Sequence, residues 1–169
     1  MKKKCLVCVC ALLFISMLNG CFQKEKHVRI TMFHDIISFQ LPGSFHTYED
    51  IRATSEIYYF EYESLGFEAG TSLLLIDNND PYMNNSDYIE NEIGNTVYQN
   101  GDILNKKISI WGLDVLYMKD VVNDRVVENY LFYQYPGKRY GVHVQYEDTE
   151  ESKKMREEFL DSVEIKGIE

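Results

Sequence analysis

The chain has 169 residues, 45% hydrophobic and 26% charged, with three prolines and ten glycines. That balance excludes a disordered or collagen-like chain and allows one domain whose core needs no disulfide staples. Against 27 acidic residues stand 17 basic ones, a formal charge of −10 with no basic stripe to offset it, which argues against nucleic-acid binding.

The N-terminus is of a different kind from the rest. Three lysines, Lys2 to Lys4, precede a run of 14 residues, Cys5 to Leu18, that is apolar except for Ser16. A membrane-spanning helix needs roughly 20 apolar residues. The h-region of a secretory signal needs about 7–15, so a cleaved signal is expected rather than an uncleaved anchor. The run closes on "LNGC", which resembles the lipobox of bacterial lipoprotein precursors, with Leu18 at −3, Gly20 at −1 and Cys21 at +1. Asn19 departs from the small or hydroxyl residue usual at −2. The resemblance implies cleavage before Cys21 and lipid attachment there, with two or more acyl chains giving a stable membrane anchor.

Residues 1–20 are thus expected to be the signal peptide, 21–27 a short tether and 28–169 a single globular domain. Cys5, Cys8 and Cys10 leave with the signal, and no cysteine follows Cys21. The mature protein is therefore expected to have no disulfide, thiolate metal site or cysteine nucleophile. Loss of Lys2, Lys3 and Lys4, with no acid lost, moves the formal charge from −10 to −13. Anionic headgroups would then hold the domain off the bilayer on its tether.

Along the mature part, "VRITMF" (28–33) and "IISFQLP" (36–42) read as a hairpin across His34-Asp35, ended by Pro42-Gly43. "EIYYFEY" (56–62) is dense in aromatic strand formers, with Tyr58, Phe60 and Tyr62 on one face and Tyr59 and Glu61 on the other. "TSLLLID" (71–77) is an apolar run expected to be buried on both faces. After the polar "NNDPYMNN", a helix is predicted over 86–100, with Asp87 and Glu90 as its capping box and Tyr88, Ile89, Ile93 and Val97 at helical spacing. Strands follow: "ILNKKISI", a turn at Trp111-Gly112, "LDVLYMKDVV", a turn at Asn123-Asp124, "RVVENYLFYQY", a turn at Pro136-Gly137, and "RYGVHVQY". A last helix is predicted to be capped by Asp148 or Thr149. Met155, Phe159, Leu160 and Val163 form its apolar side, and "SVEIKGIE" trails it as a short strand or coil.

Strands joined by tight turns imply antiparallel pairing, and two separated helices must pack on the sheet, so the class is α+β. The succession "ISFQLPGSF", "SLLLID", "SDYIENEI", "KISIWGLDVLYM", "VVENYLFYQYPGKRYGVHVQY" and "FLDSVEI" is similar in order to the PsbP/DcrB-like superfamily. The likeness runs over roughly 36–165. It implies an α/β/α sandwich, an antiparallel sheet flanked by helices, and binding or assembly roles with no shared reaction. Its motifs include no catalytic signature, and fold likeness of this kind supports architecture better than function.

Chemistry-bearing motifs are sparse. His27, His34, His46 and His143 show no metal-ligand spacing, and alternation places His143 with Gly141 and Gln145 on one strand face. "DNNDPYMNNSD" (77–87) gathers oxygen ligands, so Asp77, Asn79, Asp80 and Asp87 are candidates for a calcium site. Tyr82 and Tyr88 occupy the sixth and twelfth places where an EF-hand loop requires Gly and Glu, and turn chemistry explains the same residues. No nucleophile elbow, S-x-x-K acylation motif or phosphate loop is present. All 13 tyrosines lie in the mature part. Tyr133, Tyr135 and Tyr140 with Lys138 and Arg139 surround the "PGKR" turn as a candidate interaction surface, although tyrosines also suit half-buried strands. The expected role is a non-catalytic, lipid-anchored, extracytoplasmic module that binds an envelope protein partner and needs no cofactor. The alternative is a receptor for calcium or a small molecule.

Overall fold

A computed structural model describes residues 27–76, 84–95, 104–134 and 136–167. The elements in order are β1 (His27–Met32), β2 (Ile37–Pro42), β3 (His46–Arg52), β4 (Ser55–Tyr62), a 3-10 turn (Glu63–Leu65) and β5 (Phe67–Leu75). Then come α1 (Asn85–Asn95), β6 (Leu104–Ile110), β7 (Leu113–Val122), β8 (Arg125–Gln134), β9 (Lys138–Glu147), α2 (Glu150–Ser162) and β10 (Glu164–Ile165). Seven strands form one sheet in the order β3-β4-β5-β9-β8-β7-β6, and β1-β2-β10 form a second. Every pairing is antiparallel.

Tight turns set this topology. Asn123 and Asn-like Asp124 both take positive φ, 50° and 64°, the two-residue hairpin geometry that matches strand twist. Trp111 and Gly112 do the same at 55° and 82°. A tryptophan there is held by tertiary contacts: its indole N–H donates to the Leu160 carbonyl at 2.9 Å, and its ring lies 5.3 Å from Tyr130.

Strand alternation builds two apolar layers. On one face of the large sheet, Phe60, Phe67, Tyr130, Phe132, Tyr140 and Val142 meet Ile37, Phe39 and Leu41 from β2 and Phe159 and Leu160 from α2. Phe39 sits edge-on to both Phe60 and Phe159 at 5.3 Å, a favoured quadrupole arrangement. On the opposite face, Tyr88 and Ile89 of α1 pack on Leu116, Leu131 and Tyr133. The expected helix-flanked sandwich is thereby corrected. α2 shares its face with a three-stranded sheet, because the β1–β2 hairpin supplies a row of apolar side chains that a helix would otherwise provide, and the domain is richer in strand.

Two element-level expectations change. Leu75 is 48% exposed and Leu73 and Leu74 are only half-buried, so the run is not enclosed on both faces over 71–76; Asp77 lies outside the described residues. The reason is that α1 covers β7 and β8, leaving the Gly70-Ser72-Leu74 face without a helix among the described residues. The α1 cap also lies three residues earlier than expected. Asn84 Oδ1 accepts from the Asp87 amide at 3.0 Å and Asp87 Oδ2 accepts from the Asn84 amide at 3.4 Å. The predicted helix residues 96–100 lie outside the described residues. For α2, Thr149 caps as expected, its hydroxyl accepting from the Ser152 amide at 3.2 Å.

Candidate functional site

A cleft of about 510 Å³ opens between α2 and the β6-β7-β8 end of the large sheet. Strand alternation turns Lys106, Ile108 and Ile110 of β6 toward it, and Tyr117 and Lys119 of β7. Helical spacing brings Arg156, Glu157, Leu160 and Asp161 to the other wall. Its floor is apolar, its sheet-side lip is basic and its helix-side lip is acidic. Lys106 also lies over the Tyr117 ring, with Nζ 5.5 Å from the centroid.

Beneath this cleft sits a buried carboxylate. Glu128 is 2% exposed because β8 directs it into the main core layer between Val126 and Tyr130. Tyr117 Oη donates to it at 2.8 Å, Tyr130 Oη at 3.0 Å and Arg156 Nε at 2.7 Å. Arg156 Nη2 additionally donates to Tyr130 Oη at 2.9 Å. Burial, reinforced by Glu128, pushes both phenols well above their ordinary range, so they stay protonated donors. With three donors engaged, Glu128 is a satisfied structural anchor for the cleft wall.

A second polar assembly lies on the opposite sheet face. Ser72 Oγ is 2.7 Å from His143 Nε2, and His143 Nδ1 is 2.6 Å from Asn129 Oδ1. Burial first and the Arg139 charge second lower the imidazole pKa from 6.5 to about 4. The ring is therefore neutral at pH 7, which assigns Nδ1–H as donor to Asn129 and Nε2 as acceptor from the Ser72 hydroxyl. The connectivity matches a Ser-His-Asn relay, but the surroundings do not suit acyl transfer. Ser72 lies mid-strand, in register with Ile57 on one side and Gly141 on the other, so ladder bonds engage the amides an oxyanion would need. A base near 4 is also poorly matched to removing a serine proton at neutral pH.

The residues singled out by sequence are dispersed. Cys21, Asp77, Asn79, Asp80 and Tyr135 lie outside the described residues. Asp87 is exposed and spent on the α1 cap. Among the described residues, no group of three His, Cys, Asp or Glu side chains is placed to hold a metal ion. Nor, among them, is any helix long and apolar enough to cross a membrane. The tyrosine-lined surface around the "PGKR" turn needs correction. Tyr133 and Tyr140 are each 1% exposed and belong to opposite core layers, because strand alternation separates them. Their hydroxyls brace the turn instead: Tyr133 Oη accepts from the Gly137 amide at 3.0 Å and Tyr140 Oη donates to Gln134 at 3.2 Å. Lys138 and Arg139 are half-buried.

Sequence reasoning missed Glu128, Arg156, Ser72 and Asn129. Ser72 and His143 are 71 residues apart, and only the β5–β9 register brings them together. A lone Glu at an inward-facing position of "RVVENYLF" is the one legible signal for Glu128.

No family model matches the chain, and no curated protein matches it. Solved structures do. Cyanobacterial PsbP (CyanoP) from Synechocystis superposes with a TM-score of 0.54 at 12% identity, over 87% of this chain and 96% of that one. A protein from Bacteroides thetaiotaomicron superposes with a TM-score of 0.50 at 16% identity, over 82% of this chain. This chain spans 48% of that protein's length. The domain thus has a PsbP-like fold; likeness at this identity speaks to fold alone.

Proposed function

We propose that the chain is a lipid-anchored, extracytoplasmic bacterial protein that acts as a non-catalytic protein-binding module, meeting its partner at the cleft between α2 and β6–β8. The "LNGC" motif supports the address, with Cys21 as the lipid attachment point on the outer side of the cell membrane. The observation that carries the binding role is the cleft's composition. Lys106 and Lys119 overhang an apolar floor in a chain whose formal charge is −10, while Arg156 is held by Glu128 in the wall. Such a floor accepts one buried anchor side chain, while facing basic and acidic lips fix the orientation of the segment that carries it.

Photo-crosslinking in intact cells tests this reading. A photoreactive residue at Ile108 should give one reproducible protein adduct. The same residue at Ile51, exposed on the far edge strand, should give none. Lys106→Glu combined with Lys119→Glu should remove the Ile108 adduct while leaving the domain folded. An adduct that forms equally from both positions, or that ignores the charge reversal, overturns the cleft as the binding surface.

A further inference from the structure

The polar assembly on the second sheet face lies outside the cleft and outside the proposed partner contact. Ser72, His143 and Asn129 floor a depression of about 250 Å³, walled by Ile57, Tyr59 and Leu74 and flanked by Arg139. We infer that this depression is a binding site for a small monocarboxylate with a short apolar or aromatic body.

Two glycines make the depression possible. A Cβ on Gly141 would stand 2.6 Å from Ser72 Oγ and 2.7 Å from His143 Nε2, closer than real Cβ contacts allow. Any side chain there would break the Ser72–His143 bond. At Gly70, a Cβ would come within 3.1 Å of the Tyr59 ring, so the absent side chain lets that ring lie down as a wall. The floor is therefore sculpted from two adjacent strands rather than left as an accidental gap.

The donor inventory then selects the ligand. His143 is saturated through both nitrogens and adds no charge at pH 7. The Asn129 amide N–H₂ and the Arg139 guanidinium both carry donors here; Arg139, which also lies against the Tyr88 hydroxyl, keeps further N–H groups of the planar fork that matches a carboxylate. Burial raises the Tyr59 phenol, which keeps it a donor as well. In a chain with 27 acidic residues, none among the described residues lines this depression. Glu68 and Asp50 lie close enough to act on Tyr59, and their repulsion grows with ligand charge, so it weighs more on a doubly charged phosphate ester than on a single carboxylate. At about 250 Å³ the depression has room for a ligand of the size of benzoate.

Titration of the full chain in detergent with benzoate, and with benzamide as its neutral counterpart, tests the site. The readout is the ¹⁵N signals of the His143 ring, assigned by their loss in His143→Gln. Benzoate should move them saturably, and benzamide should bind about tenfold or more weakly, the worth of one charge-assisted hydrogen bond. Arg139→Gln should weaken benzoate binding by a similar factor. Leu74→Trp, which fills the depression from a half-exposed strand position, should abolish it and serves if the arginine variant unfolds. Unmoved His143 signals, an equal response to benzamide, or saturation unchanged in both variants would each overturn the assignment.

Discussion

Glu128 and Arg156 are the residues on which the cleft wall depends. The Glu128 side chain is 3% exposed and that of Arg156 26%, so the pair is unequal. Arg156→Leu leaves a buried carboxylate with only two phenols and should destabilise the domain by about 3 kcal/mol. Glu128→Gln should cost less, because the guanidinium can turn toward water. Denaturant melts of both variants give the comparison, and an equal or reversed order would contradict the arrangement. His143 yields a pH prediction. Its folded pKa, about 4, lies below its ordinary 6.5, so the unfolded chain binds the extra proton between those values. Stability should therefore fall as pH drops through that window, by about 3 kcal/mol relative to His143→Gln. Parallel pH profiles of the two proteins would show that the ring is not held neutral by its surroundings.

At the scale of elements, one polar side chain joins the apolar contacts of Tyr88 and Ile89 in docking α1. Asn85 Nδ2 donates to the Asp114 carbonyl at 2.7 Å, and its Oδ1 accepts from the Tyr133 amide at 2.8 Å. Asn85→Ala strands both backbone groups and should cost about 1–3 kcal/mol, with amide exchange in α1 rising more than in α2. Protection lost equally in both helices would contradict a local role. Turn and cap chemistry explains which elements were legible beforehand. Asn123-Asp124, Pro136-Gly137 and Thr149 act through their own backbone, so their effect is written locally. The sequence points to Asp87 rather than Asn84 as the cap because Asp87-Glu90 repeats the same spacing three residues further along. The exposure of Leu75 was invisible for a different reason. An apolar run of strand length does not say which strands a helix will cover.

For the whole molecule, composition and strand order point to an antiparallel α+β domain, and the PsbP-like fold follows from the same order. What they do not reveal is that the β1–β2 hairpin returns, joins β10 and closes one face of the large sheet beside α2. That pairing, Glu164 with Ser38 and Ile165 with Ile37, joins segments that lie far apart in the chain. The cleft and the Ser72-His143-Asn129 depression share this origin: both are products of register between distant strands and of where helices leave the sheet uncovered. No local pattern encodes either. The Phe159 ring, edge-on to Phe39 and packed on Phe67, ties the hairpin sheet to the large one. Phe159→Ala should cost about 3–5 kcal/mol and weaken both sheets together in a single unfolding transition. The binding role proposed for this domain presupposes its place on the outer side of the cell membrane, and that is tested most directly by metabolic labelling with a fatty acid. The wild-type chain should incorporate label, run at the size expected after loss of residues 1–20 and fractionate with membranes, while Cys21→Ala should take up no label and persist as the unprocessed precursor. A Cys21→Ala protein that is still acylated and cleaved like the wild type would contradict the account.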